Sequence, residues 1–327
     1  GGGCLIKSKY TGKYLYSAES SSSSSSVYIY GLYSSGSTSY DKQRWRVVEA
    51  SQYIELNSNT VFENMSLDLN DVKSPNIDKK PSNASWATIS DFYYQTSSSK
   101  VEINNTSIVG KETGSASITA VHKVTGRSYN FNVTVYKGNI EIAIFSSKFG
   151  VENVASGSIA GHGWIRIYNN TCQSIEIGAY TLDTWETMTI GRWKSQINDD
   201  DGDFEGLWYN REFYERKVNL KYQENIYFNV EVSKSKISDI NTYINNTYNG
   251  YSLHGNNCVD FAVGFWNTIA PSQYNISLIG IAGFNTPSEL ADYIEDNFNY
   301  LTNSNLNGYY IGDCGFYNGS IYIEHNF

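Results

Sequence analysis

An all-β amino-terminal region followed by an α+β domain is the fold class the sequence predicts, and three observations carry that expectation. Up to about residue 138, short runs of alternating apolar residues are separated by Ser- and Gly-rich turns, the period of half-buried strands. Beyond it, similar strands are interleaved with segments whose apolar residues recur at i, i+3, i+4 and i+7, the period of a helix with one buried face. The 327 residues, at about 150 per domain, leave room for two or three domains and a sizeable core. The expected multidomain layout is 1–57, 58–138 and 139–327.

Composition removes several function classes. Twenty-four Lys and Arg stand against 33 Asp and Glu, a net charge of −9. With no basic run in the chain, a nucleic-acid backbone is not an expected partner. No apolar stretch reaches the length of a membrane span, and no signal peptide is visible. The only methionines, Met65 and Met188, are internal, and the natural start is expected upstream. Twenty-eight tyrosines with only 17% charged residues suit secreted β-rich domains that contact polysaccharide, and also fit an ordinary AT-rich genome. Cys4, Cys172, Cys258 and Cys314 are far apart and show no CxxC spacing, so neither a metal nor a cofactor is expected.

In the first segment, strands are expected at 13–16, 27–30 and 45–48. The order GKYL, VYIY and QRWRV, with Gln43 and Trp45 two residues apart, resembles one repeat of a ricin-type β-trefoil lectin. In that family these two residues are mainly core and turn residues. A trefoil needs three such repeats, so the resemblance implies a partial module, the last repeat of a truncated one.

From residue 58 to 138 the strands continue. Ile118 and Ala120, then Phe131, Val133 and Val135, alternate on either side of an HKVTGRS turn. This stretch resembles the bacterial immunoglobulin-like β-sandwich, which implies a spacer or adhesive module. His122, beside the turn, is read as a surface histidine.

In the third segment, strands are expected at 140–145, 162–168, 174–179 and 226–232. Helices are expected at 235–245, with Ile237, Ile240 and Ile244 on one face, and at 258–270, closed by Pro271. A last helix starts at Thr286-Pro287-Ser288-Glu289, where a hydroxyl N-cap, a first-turn proline and a capping-box glutamate precede Leu290, Ile294 and Phe298.

The chemistry gathers at Gly255-Asn256-Asn257-Cys258-Val259-Asp260-Phe261. Asn257 or Asn256 as N-cap puts Cys258 in the first turn of a helix, where the dipole and unpaired N–H groups favour a thiolate. The competing reading is a buried, inert cysteine. A thiolate nucleophile needs an imidazole. Among His162, His254 and His325, His162 is best placed: in GHGWIRIYN it opens a strand with Trp164 and Arg166 on its own face, and flanking glycines leave room for a close neighbour. Glu176, on the next strand, is the candidate orienting carboxylate; a cross-strand pair with Arg166 is its other reading. The acidic run Asp199-Asp200-Asp201-Gly202-Asp203 does not fit an EF-hand and is read as a solvated loop.

GHGWIRI followed by GNNCVDFAVGFWN resembles the circularly permuted papain-like superfamily, which includes permuted NlpC-type cell-wall peptidases and lecithin:retinol acyltransferase-like proteins. The resemblance spans about residues 140–298. It implies Cys258 as nucleophile, with His162 as general base and then acid, and an oxyanion hole at the helix start. It also implies a secreted or cell-surface cysteine hydrolase, an amidase or peptidase acting on cell-wall peptide or isopeptide bonds and tethered to a cell-wall or glycan polymer. A lipid ester or acyl-transfer enzyme of the same fold, and a non-catalytic carbohydrate-binding adhesin, are the alternatives.

Overall fold

In the computed structural model, the described residues are 4–7, 14–15, 48–49, 60–79, 87–123, 126–148, 161–194, 205–218, 222, 225–280, 284–302, 310–311, 314–319 and 322–325. They are rich in strand and divide into two compact units, Gly1–Tyr136 and Lys137–Phe327. Most of residues 1–57, where a partial lectin repeat is expected, lies outside the described residues. The described part is a three-stranded sheet of β1 (Cys4–Lys7), β2 (Tyr14–Leu15) and β3 (Val48–Glu49), with β1 in the centre.

The rest of the first unit is built from β4 (Val61–Phe62), β5 (Met65–Asp68), β6 (Val72–Lys73), β7 (Ile77–Lys79), β8 (Phe92–Gln95), β9 (Val101–Asn104), β10 (Ser107–Gly110), β11 (Gly114–His122) and β12 (Ser128–Tyr136). One sheet has the order β5-β12-β11-β8 and another β6-β10-β9, while β4 pairs with β7. Ile118 pairs with Phe131 and Ala116 with Val133, so the alternation seen in the sequence turns one face of the hairpin inward. That face meets Phe62, Phe92, Val101 and Ile108 in a single core.

His122 corrects the surface reading. It pairs with Phe92 on β8 and is fully buried, its ring 5.1 Å from that of Phe92. Counting in twos from Ile118 and Ala120 puts His122 on the same inward face; the adjacent turn concealed this.

The second unit is organised by a nine-stranded sheet. Its strands are β13 (Asn139–Ser147), β14 (His162–Asn169), β17 (Glu186–Trp193), β18 (Gly206–Tyr209), β19 (Ile226–Ser233), β20 (Leu301–Thr302), β21 (Tyr310–Ile311), β22 (Cys314–Tyr317) and β23 (Tyr322–His325). The order is β20-β19-β13-β14-β17-β18-β22-β23, with β21 alongside β17. A separate hairpin joins β15 (Ile175–Ile177) to β16 (Tyr180–Leu182).

Among the described residues, four helices accompany the sheet: α1 (Arg211–Val218), α2 (Ile237–Thr247), α3 (Cys258–Ile269) and α4 (Pro287–Asn297). The start of α4 is the capping box read from the sequence: Glu289 N–H donates to Thr286 Oγ1 at 3.2 Å, and Thr286 N–H to Glu289 Oε2 at 3.0 Å. On the α3 and α4 side of the sheet, Ile165, Ile167 and Ile190 pack with Val259, Phe265, Trp266, Leu290 and Ile294 in the main core. The opposite side carries Ala143, Phe145, Trp164 and Tyr222. Among the described residues, no helix is long and apolar enough to cross a membrane.

Candidate active site

The two faces of β14 and β17 determine the site. Trp164 pairs with Gly191 and Arg166 with Thr189, and directly paired residues share a face. His162, Trp164, Thr189, Gly191 and Trp193 therefore form one face, and Gly163, Ile165, Ile190 and Arg192 the other.

Helix α3 brings its first residue to the start of β14. Asn257 is its N-cap: Oδ1 accepts the N–H groups of Val259 and Asp260 at 2.8 and 3.0 Å, and Asp260 Oδ2 accepts the Asn257 N–H at 3.0 Å. Phe261 N–H donates to Asn257 O at 3.1 Å. Among first-turn donors, that of Cys258 is the one Asn257 leaves unused. Gly163 permits the approach, because a Cβ there would stand 3.3 Å from both Val259 Cγ2 and Leu290 Cδ2.

Cys258 is a free cysteine, buried and close enough to His162, and to the backbone of Gly163 and Val259, for these groups to act on its sulfur electrostatically. Burial by itself favours the neutral thiol. His162, together with the two backbone groups, outweighs it and brings the Cys258 pKa below the ordinary thiol value. The same pairing acts in reverse on His162. Burial opposes its protonation, but the Cys258 thiolate, then Glu212, raise its pKa to about 9. Each of the two groups favours the charged form of the other, and their two protons titrate as a coupled pair.

Glu212 supplies the carboxylate. Fully buried in the first turn of α1, it accepts hydrogen bonds from His162 Nε2–H at 3.0 Å, Thr189 Oγ1–H at 2.6 Å and Trp193 Nε1–H at 3.0 Å. These donors lie on one face of the sheet, with Gly191 among them. The glycine is required for packing: a Cβ at residue 191 would fall 2.0 Å from Glu212 Oε1. Asn210 sets the start of α1 against β17, its Oδ1 accepting Thr189 N–H at 2.9 Å. With Nε2 committed to Glu212, Nδ1 is the imidazole nitrogen left to serve the sulfur. The rings of Trp193, Tyr222 and Trp164, at 4.2, 5.3 and 5.6 Å, enclose the imidazole and keep it from water.

Of the three residues expected from the sequence, Cys258 and His162 come together and Glu176 does not join them. Glu176 is exposed on the β15–β16 hairpin and accepts a hydrogen bond from Thr181 Oγ1 at 2.8 Å. The structure pairs Arg166 with Glu141. The cause is topological: β14 is flanked by β13 and β17, so the strand next in sequence is not its neighbour in the sheet. His254 is exposed; the side chain of His325 and the acidic run 199–203 lie outside the described residues. Glu212 has one sequence signal, an acidic side chain in the first turn of a short helix directly after the apolar strand GLWY.

No protein-family model matches the chain, and no curated protein matches it. The chemistry therefore rests on the geometry of the site.

Proposed function

We propose that residues 137–327 are a cysteine hydrolase of the amidase or peptidase type, with Cys258 as nucleophile, His162 as general base and acid, and Glu212 as the group that orients His162. The observation that carries the reading is His162 standing between the Cys258 sulfur, at a capped helix start, and the buried Glu212 carboxylate that accepts its Nε2–H at 3.0 Å. A buried inert cysteine needs neither an imidazole nor a buried carboxylate behind it.

The reaction follows from the protonation states. The thiolate attacks the scissile carbonyl carbon, an S–C bond forms, and the carbonyl π electrons move to oxygen. The Cys258 N–H, at the positive end of α3, is available to that oxyanion. As the tetrahedral species collapses, the C–N or C–O bond breaks and the imidazolium gives its proton to the leaving amine or alkoxide. The thioester is then hydrolysed: neutral His162 takes a proton from water, hydroxide adds to the acyl carbon, and the thiolate leaves. Glu212 holds the imidazole in register and stabilises its cationic form.

The arrangement of a histidine strand ahead of a cysteine helix supports a permuted papain-like domain, and cell-wall peptide or isopeptide bonds are the preferred substrates. Residues 58–138 are then an immunoglobulin-like spacer and residues 1–57 a lectin remnant, in a secreted or cell-surface protein. The test is digestion of purified cell walls and of a panel of acyl esters. The reading expects new amino groups from the walls and a hydroxylamine-sensitive acyl adduct on Cys258, both lost in Cys258→Ala. Release of fatty acid alone would move the assignment to lipid esters, and absence of any acyl adduct would contradict a hydrolase.

A further inference from the structure

On the other face of β17, one residue beyond Gly191, lies a charged group that the mechanism above does not use. Arg192 is only 3% exposed. Its guanidinium carbon lies 5.4 Å from the centroid of the Phe261 ring. Phe261 is three residues after Cys258 on α3, so both project from the same side of the helix. Arg192 therefore stands about one helical turn from the nucleophile.

Its hydrogen bonding is incomplete. Nε and Nη2 are buried and have no partner among the described residues. Asp260 and Cys258 are close enough to act on the guanidinium electrostatically, but Asp260 is already engaged. Its Oδ2 accepts Asn257 N–H at 3.0 Å and its Oδ1 accepts Asn285 Nδ2–H at 2.8 Å. Tyr243, the other neighbour, donates its hydroxyl to Phe261 O at 3.2 Å. A buried cation without a bonded counter-charge is costly, and an apolar residue of similar volume would serve the packing at least as well.

The unpaired atoms define what fits. Nε–H and the nearer Nη2–H lie along one edge of the guanidinium plane, spaced to meet the two oxygens of a carboxylate side-on. An oxyanion at the scissile carbonyl is a single atom and has the Cys258 N–H. A phosphate would bring additional negative oxygens close to Asp260 and the thiolate. We propose that Arg192 is the receptor for a carboxylate on the substrate, so that the acyl compound attacked by Cys258 carries a free carboxylate a few bonds from its scissile carbonyl. This rests on Cys258 being the nucleophile, and it narrows the substrate to acidic amides or esters.

The experiment compares iodoacetate with iodoacetamide on the full chain, following Cys258 by peptide mass spectrometry; in each case the thiolate displaces iodide and forms an S–C bond. The carboxylate reagent, normalised to the neutral one and to the same ratio for glutathione, should be favoured by about tenfold or more. Arg192→Met should remove most of that preference, and Arg192→Lys, which keeps charge but loses the fork, should retain part of it. Propionate should saturably protect wild-type Cys258 from iodoacetamide, a measurement that needs no variant to fold. Fast iodoacetamide labelling with no carboxylate preference and no propionate protection overturns the role of Arg192 alone. Slow labelling by both reagents, at the rate of an ordinary thiol, overturns the nucleophile and this proposal with it.

Discussion

Gly191→Ala offers the sharpest perturbation of the site, because it adds one methyl group and no chemistry. An ideal Cβ at this position falls 2.0 Å from Glu212 Oε1, 3.1 Å from Glu212 Cδ and 2.9 Å from His162 Nε2. Non-bonded heavy atoms settle at about 3.5 Å, so the carboxylate must retreat by roughly 1.5 Å. Its 3.0 Å bond to the imidazole cannot survive that movement. A hydrogen bond to a charged group contributes about 1.5–3 kcal/mol, and one pKa unit corresponds to about 1.36 kcal/mol. The imidazolium should therefore be weakened by about one to two units, and the thiolate it sustains reduced about tenfold or more at mildly acidic pH. The assay is the rate of Cys258 alkylation by iodoacetamide across pH, with Gly163→Ala as comparison. There the added methyl meets Leu290 Cδ2 and Val259 Cγ2 at 3.3 Å and Val259 Cα at 3.5 Å, with no polar atom of the site among them, and the shift should be smaller. A Gly191→Ala protein that labels with the wild-type pH profile would refute the claim that Glu212 acts through His162.

Three further expectations follow from the same geometry. The His162 imidazole, observed by heteronuclear NMR, should stay protonated up to about pH 9; in Cys258→Ser, where the thiolate charge is gone, burial should lower that midpoint by at least about one unit. Glu212→Gln should cut the alkylation rate at mildly acidic pH by about tenfold or more, whereas Glu176→Gln, altering an exposed group bonded to Thr181, should leave it unchanged. Thr286→Ala should destabilise the protein by about 1 kcal/mol in urea unfolding, through loss of the α4 N-cap, without altering Cys258 reactivity.

What the sequence made legible is what depends on local patterning. Asn257, Cys258 and the apolar spacing after them mark a helix start, and Thr286-Pro287-Ser288-Glu289 marks another; both caps are present. The alternation after His162 marks β14 equally well. What escaped depends on register between strands distant in sequence. Glu212 reaches His162 only because β17 lies beside β14 and α1 packs over Thr189 and Trp193. The expectation for Glu176 assumes that consecutive strands pair, which the insertion of the β15–β16 hairpin defeats. The strand that carries Arg192, Glu186–Trp193, is not among those expected from the sequence, and a missing partner is visible only after the helices have docked.

The central claim is that Cys258 is a thiolate held by His162 at neutral pH. Titration of the thiolate ultraviolet absorbance, taken as wild type minus Cys258→Ala, tests it without reference to any substrate. The account predicts a transition well below the ordinary thiol value of about 8.5, complete before His162 loses its proton near pH 9. A single transition at or above about 8.5 would contradict it and leave Cys258 as a core residue.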